Sequence, residues 1–204
     1  MNWPEIEVRY LDYLERQGYS ERSFANYRRS LRQFAKWCQE EGLKDWQDLT
    51  SQELEGYQSY LMLRRSGSKR TRHPRLLSAV TRNRILSELK TLFRYLKKQE
   101  ILTENPAADL ELSRLVKKLP GRVLSIREMR LLLEVVPASE VGLRDLAMLE
   151  ILYTCALRRS ELMGLGLEDC WLQESVLKVL GKGSKERLVP LLPSTLQALE
   201  IYLR

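Results

Sequence analysis

The sequence predicts a mainly α protein in two parts: a helical bundle, followed by a smaller α+β portion built around a three-stranded antiparallel sheet. Three observations predict it. Apolar residues recur three and four apart through most of the first half, the spacing of one helix face after another. After Cys170 that spacing gives way to short strand-like runs separated by turn residues. The 204 residues also exceed the roughly 100–150 of a typical single domain. The predicted division is a helical domain over 1–112, a linker over 113–122 containing Pro120 and Gly121, and a second domain over 123–204.

Each element has a local reason. Trp3, Ile6, Tyr10, Tyr13 and Leu14 mark a first helix ended by Gly18. Ser20 caps a second, whose Phe24, Tyr27, Leu31, Phe34 and Trp37 are expected in the core. Thr50 and Glu53 form a capping box for a third helix bearing Leu54, Tyr57 and Leu61. Ser78 or Thr81 opens the fourth, which places Ile85, Leu89, Leu92, Phe93 and Leu96 on one arc and Lys90, Arg94, Lys97 and Lys98 on another. Asn105-Pro106 predicts a short fifth helix. In the second domain a capping box from Ser125 to Glu128 heads a helix with Met129 and Leu132, and Leu143 to Leu157 is apolar enough all round to run through a core. Strands follow over 170–172, 176–180 and 187–190, and Ser194 caps a last helix through Leu196, Leu199 and Leu203.

Composition excludes several classes. With 44% hydrophobic and 30% charged residues the chain is an ordinary folded one, and no apolar run reaches the roughly 18 residues of a membrane helix. The start carries no signal-peptide pattern, and Cys38, Cys155 and Cys170 are three widely spaced cysteines without a CxxC, so a reducing cytoplasm is the expected setting. Net charge is +7, but it is lopsided: residues 64–98 carry twelve Lys and Arg against Glu88 alone. Arg64, Arg65, Lys69, Arg70, Arg72 and Arg75 lie in a loop, with Lys90, Arg94, Lys97 and Lys98 on the helix after it. A solvated face normally mixes both signs, so the expected partner is a polyanion, nucleic acid. Arg82, Asn83 and Arg84, at the start of that helix, are the expected base readers.

No metal-ligand spacing is present, and His73 stands in the basic loop. Gly181-Lys182-Gly183-Ser184 lies between strands instead of opening a helix, so it is not a phosphate loop of the nucleotidase type. Arg158 and Lys182 suit phosphodiester chemistry. A guanidinium can neutralise charge gathering on phosphorus while an ammonium protonates a leaving alkoxide, with no metal or other cofactor required. Arg158 and Glu161 alone would read as an ordinary surface pair three residues apart.

Two longer strings decide between those readings. Residues 152–162 (Leu-Tyr-Thr-Cys-Ala-Leu-Arg-Arg-Ser-Glu-Leu) resemble the first-arginine box of the tyrosine recombinase family, the phage integrases and Xer-type recombinases. Residues 179–191 (Val-Leu-Gly-Lys-Gly-Ser-Lys-Glu-Arg-Leu-Val-Pro-Leu) resemble its catalytic-lysine hairpin. The resemblance extends over residues 81–96, 104–107 and 119–133, and implies a SAM-like core-binding domain followed by a catalytic domain. It implies that Arg158 is the first catalytic arginine, Lys182 the general acid toward the 5′ oxygen, and Glu161 the acidic residue that helps hold the site. Where the family usually has Thr-Gly before Leu-Arg, this chain has Cys155-Ala156, which constrains the backbone ahead of the arginine.

The family completes its site with a His-x-x-Arg box, a later His or Trp, and a tyrosine nucleophile, and none of these has a counterpart after Lys182. The expectation is therefore a truncated catalytic domain that binds DNA without cutting it, with apolar faces poorly covered around Leu146, Leu149 and Leu199. Resemblance further implies two domains clamping a duplex, a tetramer on two DNA sites, and a role in site-specific recombination or integration. Alternatives are an inactive module that competes at recombination sites, or a helical transcription regulator.

Overall fold

A computed structural model describes residues 3–43, 45–65, 73, 75–116, 121–181, 183 and 185–204. The chain divides into two compact units, Met1–Lys118 and Leu119–Arg204.

The first unit is helical. Helices α1 (Trp3–Arg16), α2 (Glu21–Glu40), α3 (Ser51–Leu63) and α4 (Ala79–Lys98) pack α1 on α2, α2 on α4 and α3 on α4. Their starts are set by short polar side chains. Ser20 Oγ accepts from Ser23 N, Ser78 Oγ accepts from Thr81 N at 3.2 Å, and Thr50 and Glu53 complete a capping box in which Thr50 N donates to Glu53 Oε2 at 2.9 Å. Ile6, Tyr10, Leu14, Phe34, Tyr57, Leu61, Leu89 and Phe93 form one buried cluster. Phe34 stands edge-on to both Tyr57 and Phe93, the arrangement that aromatic quadrupoles favour.

One expected element is absent. Residues 105–109 form a turn in place of the fifth helix: Asn105 Oδ1 accepts from Ala107 N, and the Lys90 ammonium donates to the carbonyls of Ala108 and Leu110. Carbonyls satisfied by a neighbouring helix have no need of a helical ladder.

The second unit contains α5 (Ile126–Glu134), α6 (Glu140–Thr154), the short α7 (Arg159–Leu162), strands β1 (Cys170–Trp171), β2 (Val176–Leu180) and β3 (Glu186–Pro190), and α8 (Pro193–Tyr202). The strands form an antiparallel meander in the order β1-β2-β3, with Leu177 opposite Val189 and Val179 opposite Arg187. Ala147, Ile151, Leu157, Leu177, Val179, Ala198 and Leu199 are its core.

Three expectations need correction here. Helix α6 does not run through a core: the side that meets α8 buries Ala147 and Ile151, Gly142 is buried against Pro137, and Val141 and Tyr153 are exposed. Leu199 is buried, because it lies on the face of α8 that meets α6. Leu146 and Leu149 are half-buried. Ser194 is not the cap of α8. Pro193, pre-set for a first helical position, starts that helix after Leu192, and Ser194 Oγ instead donates to Glu150 Oε2 at 3.1 Å.

Candidate functional site

In the second unit the site is built around one buried carboxylate. Arg158 is not the last residue of α6, which ends at Thr154; it is the residue that caps α7. Between them the chain reverses at Ala156, whose φ of 49° lies in the left-handed region. That conformation is strained for a residue with a Cβ, and it is where the glycine of the usual motif would sit without strain.

From the last turn of α7, Glu161 reaches back to the cap. Its Oε2 accepts from Arg158 N at 2.9 Å and its Oε1 from Arg158 Nη1 at 2.8 Å. Across the strand hairpin, Arg187 closes on the same carboxylate, donating from Nη2 to Oε2 at 2.8 Å and from Nη1 to Oε1 at 3.1 Å. Glu161 is 7% exposed, and its side chain is held by four charge-assisted or backbone hydrogen bonds. The Arg187 guanidinium, followed by the Arg158 amide, pulls the Glu161 carboxyl down to a pKa of about 2, and the arginine is pushed up in return. Glu161 is therefore an anion at any working pH.

The two arginines differ in what remains free. The Arg158 side chain is 72% exposed, and the contact with Glu161 takes one hydrogen-bond donor of a five-donor group, which leaves donors for an external anion. Arg187 spends both terminal nitrogens on the carboxylate. The hairpin turn lies against this cluster. Gly181 N donates to Lys185 O at 2.7 Å, and a side chain at Gly181 would meet Arg187 Nη1 at 3.0 Å and Glu161 Oε1 at 3.6 Å. The turn can approach because that position is glycine. Lys182 lies outside the described residues, while its neighbour Gly181 is in place beside Glu161.

In the first unit the basic loop leaves α3 and returns to α4 through a narrow neck. Arg65 pairs with Leu76 as an antiparallel bridge, and Leu77 N donates to Arg64 O at 2.9 Å. The Arg64 guanidinium lies over the Tyr60 ring, 5.8 Å from its centroid. Arg75 and His73 are exposed; Lys69, Arg70 and Arg72 lie outside the described residues.

Beyond the neck, Arg94, Lys97 and Lys98 are exposed on α4. Others of the expected contact residues have internal partners. Arg82 donates to Leu77 O at 2.6 Å, and Arg84 pairs with Glu88, which also accepts from Ser30. Asn83 is buried: its Nδ2 donates to Ser113 O at 2.7 Å and its Oδ1 accepts from Ser113 N at 3.0 Å. With Lys90 holding Ala108 and Leu110, these two residues staple the 105–113 segment to α4. Asn83 could read a base only if that pair opened.

Sequence reasoning assigned no role to Arg187. A signal was present: in the β2-β3 register Arg187 sits opposite the fully buried Val179, so a charge is aimed at the inward face of a hairpin. Such a charge needs a buried partner.

Among the described residues, no three His, Cys, Asp or Glu side chains gather as a metal site requires, and no helix is long and apolar enough to cross a membrane.

Comparison with known proteins matches both units. Residues 8–100 fit the phage integrase N-terminal SAM-like domain, and residues 122–204 fit the phage integrase family. Tyrosine recombinase XerC 2 of Ralstonia nicotianae is 39% identical over 188 residues, covering 91% of this chain and 53% of the relative. Tyrosine recombinase XerD of Pseudomonas aeruginosa is 38% identical, covering 96% of this chain and 62% of the relative. The chain thus spans a little over half the length of the curated relatives it matches. Among solved structures, an integrase of transposon Tn1549 in complex with a circular intermediate DNA superposes with a TM-score of 0.67 at 16% identity, covering all of this chain and 65% of that one. The XerH recombinase bound to its difH substrate superposes at 0.66 and 19% identity, covering 89% and 52%. These two show the same fold. With both units matched in order and Xer recombinases similar over most of its length, the chain belongs to the phage integrase family of tyrosine recombinases.

Proposed function

We propose that this chain binds duplex DNA and works in site-specific recombination, with Arg158 and Lys182 directed to one backbone phosphate. The observation that carries the reading is the Arg158–Glu161–Arg187 cluster. It holds an exposed guanidinium in a fixed direction beside the turn that bears the lysine. A guanidinium so held lowers the energy of a pentacoordinate phosphorus without reorganising as charge develops, and Lys182 is the proton donor to the leaving 5′ oxygen.

Most affinity comes from phosphate contacts of Arg64, Arg65, Lys69, Arg70, Arg72, Arg75 and Arg94. Arg82 and Arg84 are the candidates for base contact, while Asn83 and Lys90 act by holding the 105–113 segment. The compartment is the cytoplasm, and the working assembly is a homo-oligomer on two DNA sites.

The 204 residues contain no His-x-x-Arg run, and no nucleophile is assigned among them. As a polypeptide they are therefore expected to bind duplex DNA without a covalent step. The test is fluorescence anisotropy on a duplex across a salt series, paired with incubation on a nicked half-site followed by denaturation. Tight, steeply salt-dependent binding without a covalent adduct is expected. Absence of binding at low salt overturns the DNA reading, and a denaturation-resistant adduct overturns the expectation of binding without cleavage.

A further inference from the structure

We propose that Arg187 is a positioning residue: acting through Glu161, it sets the direction of the Arg158 guanidinium and ties the lysine-bearing turn to the same carboxylate. The inference rests on the reading of Arg158 as the phosphate-binding arginine.

The geometry supplies the argument. Without Arg187 the backbone amide of Arg158 would pin Oε2 alone, and Oε1, held only by the mobile Arg158 side chain, could swing about that anchor and carry the guanidinium with it. Arg187 removes that freedom by contacting both oxygens, at 2.8 and 3.1 Å, a two-pronged grip that fixes the plane of the carboxylate. Once the plane is fixed, Oε1 has one direction left in which to hold Arg158 Nη1. Arg187 is itself anchored on β3 opposite the buried Val179, so the direction is referred to the sheet and not to a flexible loop.

Its Nη1 also lies 3.0 Å from where a side chain at Gly181 would begin, so the same guanidinium sets how closely the hairpin turn approaches Glu161. One side chain thus orients Arg158 and seats the turn that carries Lys182. A lysine at 187 would keep the charge, but an ammonium on a flexible stem cannot grip two oxygens in a plane.

The experiment follows the guanidinium N–H signals of Arg158 by nitrogen NMR in the isotopically labelled 204-residue chain without DNA, with assignment by Arg158→Lys. In the wild type the Arg158 Nη1 proton bonded to Glu161 Oε1 is expected to be protected from exchange with water. In Arg187→Lys and Arg187→Ala, exchange at Arg158 is expected to quicken by about tenfold, the scale of losing a charge-assisted hydrogen bond, while the amide signals of β2 and β3 persist. Unchanged exchange in both variants, or full protection restored by the lysine, overturns the proposal, since charge alone would then suffice. If Arg187→Ala loses the amide dispersion of the second unit, the lysine variant decides.

Duplex anisotropy on the same samples separates this inference from the reading beneath it. A wild-type chain that fails to bind DNA overturns the proposed function, whereas the effect of Arg187 on Arg158 is decided by the exchange data alone.

Discussion

Arg187 and Glu161, 26 residues apart in the chain, meet as a two-pronged ion pair that joins the strand hairpin to the helix capped by Arg158. The pair has a consequence for acid stability. The Glu161 carboxyl is held at about 2 in the folded chain, below the 4.5 of an unperturbed glutamate, so its contribution is fully present above the unfolded value and is lost as pH falls through the folded one. Thermal melts of the chain should lose stability between about pH 4.5 and pH 2. Glu53 and Glu128 are shifted in the same direction by their capping contacts and add to the slope. The Glu161 share is read as the difference from Glu161→Gln, which should flatten the acid limb; an identical limb in the variant would contradict the assignment.

Ala156 holds φ at 49° just ahead of Arg158. Replacing it with glycine removes the left-handed strain but adds freedom to the unfolded chain, for a net gain of about 0.5–1 kcal/mol. Calorimetry of Ala156→Gly should show a melting temperature a few degrees higher. A lower one would show that the reversal at Ala156 is not strained.

Asn83, which its place at the start of α4 marks as a base contact, is buried against Ser113. Asn83→Ala should destabilise the first unit by about 1–3 kcal/mol, since it leaves the Ser113 backbone groups without partners. Denaturant melts give this value. The ranking of duplex sequences by affinity should be unchanged in the variant, and a changed ranking with unchanged stability would restore the base-reading role.

The neck and loop between α3 and α4 carry the largest concentration of positive charge. Alanine at Arg64, Arg65, Lys69, Arg70 and Arg72 together should weaken duplex binding. It should also make the slope of log affinity against log salt shallower by about 4.5 if all five meet phosphate. A slope equal to that of the wild type would place the DNA contacts elsewhere.

What the sequence made legible was local. The caps at Ser20, Thr50, Ser78 and Ser125 and the β2-β3 hairpin were readable because each depends on residues a few positions apart. Arg158 and Glu161 were readable through a motif. Arg187 was not, because its partner lies across the fold, and neither were the Asn83–Ser113 and Lys90–Leu110 contacts, which join α4 to a segment 20 to 30 residues on. The helix expected after Asn105 failed for the same reason: ties from α4 satisfy its carbonyls and override a local helix-start signal. Helix α6 erred in the other direction, since apolar residues on all sides do not guarantee cover on all sides.

The most direct test of the account is a crystal structure of the chain on a DNA duplex, read at the Arg158 guanidinium and the Lys182 ammonium. The account predicts both within about 3 Å of oxygens of a single backbone phosphate, with Arg187 still closed on Glu161. Cations turned to different phosphates, or an Arg158 released from Glu161 and pointing away from the DNA, would contradict it.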